Sequence, residues 1–123
     1  MKIIETKNAP AAIGPYSQAI VANGLVYASG QIPVDPATGA LEAGDITAQT
    51  ERVIKNIAEL LKAAGSGIEK AVKTTCFIKN MGDFAVFNEI YAKYFVSKPA
   101  RSCVEVSALP KGALVEIEVI AEL

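Results

Sequence analysis

The sequence predicts a two-layer α+β domain, one sheet carrying two helices on one face. Two segments repeat apolar residues at helical spacing, each lies between short β-branched or alternating stretches, and 123 residues suffice for one core. A chain of this length is expected to form one domain, residues 1–123, and to bury roughly two thirds of the surface its unfolded form would expose.

The elements follow in order. Residues 3–5 read as an edge strand. Residues 19–22 and 25–30 flank Asn23-Gly24, a pair that supplies the positive φ angles of a two-residue hairpin turn. Residues 32–44 carry Pro33, Pro36, Gly39 and Gly44 without periodicity and read as a loop. Asp45 is placed to cap a helix whose apolar positions Ile46, Val53, Ile57, Leu60, Leu61 and Ala64 share a face, with Gly65 as its stop. Residues 71–78 read as a buried strand, and Asp83 as the cap of a second helix bearing Phe84, Phe87, Tyr91 and Tyr94/Phe95, ended by Pro99. Residues 101–106 and 114–120 read as strands separated by a loop with Pro110 and Gly112. The expected order is β-β-β-α-β-α-β-β, which leaves one sheet face apolar and uncovered.

Composition narrows the chemistry. Twelve basic residues against 13 acidic ones, a net charge of −1 and a pI near 5.5 provide no cationic excess to release counterions from a nucleic acid. No histidine is present, which removes the usual base near neutral pH and the commonest ligand of catalytic zinc. Two cysteines, Cys76 and Cys103, are too few for a disulfide framework or a four-sulfur site and read as buried thiols, with a redox pair as the lesser reading. The N-terminus, Met1-Lys2-Ile3-Ile4-Glu5, meets charge too early for a signal peptide, and no run approaches the ~20 apolar residues that span a bilayer, so a soluble cytoplasmic protein is expected. A mean hydropathy of +0.31 with 51% hydrophobic residues exceeds what so short a chain needs for its own core, which points to a homo-oligomer.

Two glycine patterns carry no chemistry. Residues 39–44 have phosphate-loop spacing, but Asp45 stands where a lysine is needed, and Gly65-Ser66-Gly67 follows a helix where a dinucleotide motif would precede one. Of the two arginines, Arg52 lies on the polar face of the first helix and reads as solvated surface. Arg101 shares a strand face with Cys103 and Glu105; it suits either a structural ion pair or a bidentate clamp on a carboxylate. Glu116 and Glu118 share a face of an otherwise apolar strand. If that strand is central, at least one has a raised pKa fit for proton transfer; on an edge strand both are solvated. Gly14-Pro15-Tyr16 presents an aromatic hydroxyl at a turn, and Gly30 permits close backbone approach.

Five segments in order carry a resemblance: residues 9–18, Ser29-Gly30-Gln31-Ile32-Pro33, residues 73–78, Asp83-Phe84 with Asn88-Glu89, and Pro99-Ala100-Arg101-Ser102-Cys103-Val104-Glu105 through Pro110-Lys111-Gly112 to Glu116-Ile117. Across residues 9–121 the chain closely resembles the Rid (YjgF) family, RidA branch. The resemblance implies a chorismate-mutase-like fold with both helices on one face of a mixed sheet, and a homotrimer with ligand pockets between subunits. It implies hydrolysis of 2-imino acids such as 2-iminobutanoate and 2-iminopropanoate, formed by pyridoxal-phosphate-dependent dehydratases, to 2-oxo acids and ammonia, which protects pyridoxal-phosphate enzymes from damage. Carried over by position, Arg101 binds the substrate carboxylate and Glu116 transfers protons, with Tyr16, Gly30, Asn88 and Cys103 binding substrate. Ala108 departs from the pattern, where many relatives carry arginine, and affects only the pocket rim. No cofactor or metal is expected, because an imine carbon is already electrophilic. The alternatives are a non-catalytic sensor of 2-oxo acids and, less favoured, a ribonuclease.

Overall fold

Asn23 and Gly24 hold φ of 52° and 77°, and this turn folds one strand directly back on the next, as their pairing predicts. The computed structural model describes residues 1–123. Its elements are β1 (Lys2–Ile4), β2 (Ala19–Ala22), β3 (Leu25–Gln31), α1 (Ile46–Ala63), β4 (Ala71–Ile78), α2 (Phe84–Tyr94), β5 (Ala100–Glu105) and β6 (Val115–Glu122), in the expected order. One mixed sheet of six strands runs β1-β2-β3-β6-β4-β5. Only β4 and β5 are parallel, and α2 supplies the crossover that parallel neighbours require.

Local chemistry accounts for the helices unequally. Asp45 accepts a hydrogen bond from Ala48 N at 3.1 Å and caps α1. Gly65 ends it in the left-handed region at φ 85°, while Gly65 N and Ser66 N donate to Lys62 O and Leu61 O. Asp83 behaves differently from the expectation. It occupies the position before α2 but makes no side-chain cap, because its backbone is already helical within a 3-10 turn, Met81–Asp83, that runs into the helix. In the Tyr94/Phe95 pair the two residues separate: Phe95 is buried, its ring stacked 4.3 Å from Tyr91, and Tyr94 is exposed with its hydroxyl donating to Glu51.

Several strand ends also shift. β1 lies one residue earlier than expected, β3 continues to Gln31, β5 covers Ala100–Glu105, and β6 begins at Val115 and runs on to Glu122. The extension of β6 follows from its two neighbours, since Leu25 pairs with Glu122 while Ala71 pairs with Ala121. Hydropathy of a single strand does not carry this information.

The core forms where the sheet meets the helices. Val26, Cys76, Ile78, Val115, Ile117, Val119 and Ala121 meet the α1 stripe of Val53, Ile57, Leu60 and Leu61, with Phe87 of α2. Each fully buried side chain of the Val, Leu, Ile or Phe type stabilises the fold by roughly 1.5–3 kcal/mol. The opposite face is uncovered as expected, but it is mixed rather than apolar. One row pairs Ile20, Tyr27 and Ile120, while the rows beside it carry Glu118 with Thr75 and Ser102, and Glu116 with Phe77 and Val104. No helix is long and apolar enough to cross a membrane.

The two aspartates give a direct check on these helix starts. Asp45→Ala should lower unfolding free energy by about 1 kcal/mol in urea titration. Asp83→Ala should change it by about 0.5 kcal/mol or less. Equal losses would mean that Asp83 caps α2 in solution.

Candidate functional site

β6 lies between β3 and β4, so the central-strand alternative holds for Glu116. Val115, Ile117 and Val119 enter the core while Glu116 and Glu118 point to the open face, Glu116 half-buried and Glu118 exposed. Burial, with a smaller contribution from the charge of Glu118, raises the Glu116 pKa above the ordinary carboxylate value.

β3 makes room for that carboxylate. Its register against β6 slips between Ala28 and Gln31, which sets Ser29 and Gly30 against the single residue Glu118 in a bulge. A Cβ on Gly30 would collide with Glu116 Oε2 and stand 2.9 Å from Cδ, so only glycine lets the carboxylate lie over this backbone.

Glu116 faces a cavity of about 660 Å³, whose walls include Pro10, Ile13, Tyr16, Gly30, Pro36 and Lys111. Much of this wall is irregular chain, and three buried amides hold it. Gln18 accepts from Thr6 N at 2.8 Å and donates to Thr6 O, Ala9 O and Pro10 O. Asn56 on α1 donates to Ile32 O (3.1 Å) and Val34 O (2.9 Å), and Gln49 donates to Glu42 O while accepting from Leu114 N. Arg52, expected as solvated surface, donates to Asn56 Oδ1 from Nε (3.2 Å) and Nη2 (2.8 Å) and so orients that amide. Sequence reasoning missed Gln49 and Asn56. Their signal was present, because amides in the apolar stripe of a helix must find partners.

A second group forms beside the edge strand β5. Arg101 Nη1 donates to Asn88 Oδ1 at 2.7 Å, and its guanidinium carbon stands 4.7 Å from the centroid of Tyr91 and 5.5 Å from that of Phe84. Its hydrogen-bonded partner is a neutral amide, which replaces the structural ion pair as the account of this arginine. The aromatic faces hold the planar cation while most of its donors remain free. Cys103 lies two residues along the same strand, in register with Cys76 of β4. Both thiols are free, but only Cys76 is buried, so the buried reading fails for Cys103, which is half-exposed on an edge strand.

The sheet divides the six predicted residues into two groups. Arg101 pairs in register with Thr74, which pairs with Val119, and this row faces the helices. Glu116 belongs to the row of Phe77 and Val104 on the open face. Tyr16 and Gly30 line the cavity with Glu116, whereas Asn88 and Cys103 accompany Arg101. Within one chain the carboxylate and the guanidinium lie on opposite faces. No cluster of three or more histidine, cysteine or acidic side chains capable of holding a metal ion occurs.

This architecture, two helices against a mixed six-stranded sheet, defines the class of α+β proteins in which solved counterparts occur. YyfA of Yersinia pestis, described as a protein of unknown function of the conserved Rid family, is 61% identical with a TM-score of 0.96, covering 99% of this chain and 98% of its own. Escherichia coli TdcF, solved with bound serine, is 42% identical with a TM-score of 0.94, covering 100% and 99%. Among sequence relatives, a Lactococcus lactis protein provisionally named as the regulator AldR is 56% identical over 100% of this chain and 98% of its own. The mouse 2-iminobutanoate/2-iminopropanoate deaminase is 49% identical over 98% of this chain and 90% of its own. The family model described as Endoribonuclease L-PSP matches residues 6–123. The chain belongs to this family, the Rid/YjgF family.

The two thiols should differ in reactivity. Burial, first among several influences, pushes the Cys76 thiol up to about 12, and burial also raises Cys103, opposed by Arg101. Titration with a thiol reagent near pH 8 should therefore modify Cys103 slowly and Cys76 only after denaturation. Two rapid equivalents in the native protein would contradict the assignment.

Proposed function

We propose that this protein hydrolyses 2-imino acids such as 2-iminobutanoate and 2-iminopropanoate to 2-oxo acids and ammonia, as a homotrimer whose sites are each shared by two copies. The observation that carries the reading is the pair of complementary half-sites. One holds a partly desolvated carboxylate over a cavity and the other an arginine with free donors, and they lie on opposite sheet faces. A second copy that brings its β5 edge to the first copy's cavity completes both. The deaminase name of the mouse relative supports the same chemistry.

In this mechanism Arg101 of one copy binds the substrate carboxylate through two parallel hydrogen bonds. Glu116 of the other copy takes a proton from water as its oxygen bonds to C2 and the C=N π electrons move to nitrogen. Glu116 passes that proton to the nitrogen, giving a carbinolamine; it then takes the hydroxyl proton and delivers it to the amine as the C–N bond breaks, so that ammonia leaves and C2 becomes the carbonyl of the 2-oxo acid. Tyr16 borders the substrate, and backbone at Gly30 and Cys103 holds the nitrogen end. Each step needs only positioning and proton transfer.

The regulatory name of the Lactococcus relative favours a second reading, a sensor that binds 2-oxo acids without turnover. A ribonuclease finds less support, given no histidine and 12 basic against 13 acidic residues. One assay separates the first two. With 2-iminobutanoate generated in situ by a threonine dehydratase, this protein should accelerate 2-oxobutanoate release; binding of 2-oxobutanoate without acceleration would support the sensor.

Variants test the division of the site. Arg101→Ala should abolish both turnover and 2-oxobutanoate binding, and Arg101→Lys should restore them only in part. Glu116→Gln should still bind 2-oxobutanoate but lose on the order of a hundredfold or more in rate, while Glu118→Gln stays near wild type at neutral pH. Light scattering should give about 39 kDa, three times the 12.9 kDa chain. Mixing Arg101→Ala with Glu116→Gln, followed by unfolding and refolding together, should restore activity at about a quarter of the sites, the share set by random pairing around a ring. No recovery would place Arg101 and Glu116 of one chain in one site.

The acid limb of the pH–rate profile carries its own sign. Glu116 acts when ionised and its pKa is raised, so kcat/KM should fall with decreasing pH at a value above the ordinary glutamate pKa of about 4.3. Glu118→Gln removes one raising influence and should move the limb to lower pH. A limb that stays in place would show that the two carboxylates are uncoupled.

A further inference from the structure

Within one chain, Lys111 is the only cationic residue lining the cavity, as Glu116 is its only acidic one. It stands in the turn Pro110–Gly112 and is exposed at the rim, whereas Glu116 lies half-buried on β6. The turn is fixed on both sides. Gly112 N donates to Leu109 O and Ala113 N to Pro110 O, each at 3.1 Å, and Leu114 N donates to the buried Gln49 Oε1 at 2.8 Å. Lys111 itself has φ 58°, a conformation that glycine adopts more easily, yet this position carries a long charged side chain. Its ammonium makes one protein hydrogen bond, a long one of 3.3 Å to Gly39 O, which leaves two of its three donors for a ligand.

Apart from these two charges the cavity wall is largely apolar. Pro10, Ile13, Pro36 and Pro110 line it with apolar surface, against which the aliphatic part of a side chain can lie. A ligand that uses this space gains affinity by carrying an anion to the rim.

We propose that Lys111 is a specificity-determining residue that selects 2-imino dicarboxylates and the corresponding 2-oxo dicarboxylates, its ammonium binding the distal carboxylate while C2 lies at Glu116. The inference rests on imine hydrolysis at this cavity and adds the class of side chain that the site prefers. Such imines arise wherever an acidic amino acid is oxidised at its α-carbon.

Two substrates of equal chain length isolate the distal charge. 2-Iminoglutarate and 2-iminopentanoate are generated from glutamate and norvaline by amino-acid oxidases with catalase, and binding of 2-oxoglutarate and 2-oxopentanoate is measured by calorimetry. Wild type should favour the dicarboxylate in both kcat/KM and affinity. Lys111→Met should lower that ratio about tenfold or more, Lys111→Glu should lower it further, and Lys111→Arg should keep most of it. Circular dichroism and light scattering confirm that each variant folds and assembles. Turnover of 2-iminopentanoate with no preference for 2-iminoglutarate, or an unchanged ratio in Lys111→Met, overturns the role of Lys111 and leaves the deaminase reading standing. Preferred 2-oxoglutarate binding that depends on Lys111, with no turnover of either imine, removes the deaminase reading and retains the selectivity.

Discussion

The central position of β6 is the constraint on which the rest of the candidate site depends. Paired with β3 on one side and β4 on the other, β6 has no free edge, and its alternation sends Val115, Ile117 and Val119 into the core. The same alternation commits Glu116 to the open face, where flanking strands take part of its hydration away. The bulge in β3 belongs to this arrangement, because the carboxylate occupies space that any side chain at residue 30 would need. Site and core are thus two faces of one strand.

Arg101 is placed by different forces. β5 has one neighbour, and its arginine is held by Asn88, Tyr91 and Phe84, all on α2. Its position depends on the packing of a helix, while that of Glu116 depends on pairing within a sheet. Tyr91 links the two systems, since its hydroxyl shares a 2.7 Å hydrogen bond with Thr74 of β4 while its ring lies under the guanidinium.

Local signals were legible in the sequence, and signals that depend on neighbours were not. The Asn23-Gly24 turn, the Asp45 cap, the α1 stripe and β4 each arise from adjacent or periodic residues, and the structure contains them where the sequence places them. Alternation also set Arg101 with Cys103, and Glu116 with Glu118, on shared strand faces. It could not relate those faces to one another, because that requires the register of β5 on β4 and of β4 on β6. Asp83 has a capping residue's identity but lacks its backbone geometry, and Arg52 looked like surface because its partner Asn56 lay hidden in the apolar stripe. The element order implies an uncovered face but not what that face displays: the row of Ile20, Tyr27 and Ile120 lies beside one that carries Glu118, Thr75 and Ser102, and only the register brings those polar residues together.

The amides that brace the cavity wall bond to main-chain groups. Gln18, Gln49 and Asn56 contact carbonyls or N–H groups of residues 6, 9, 10, 32, 34, 42 and 114, never the side chains there. The contour of the wall is therefore independent of what the wall displays. Side chains projecting from these loops can be exchanged while the loop path is kept, so a lineage built on this scaffold can explore new ligand preferences by single substitutions without first sacrificing the shape of its binding chamber.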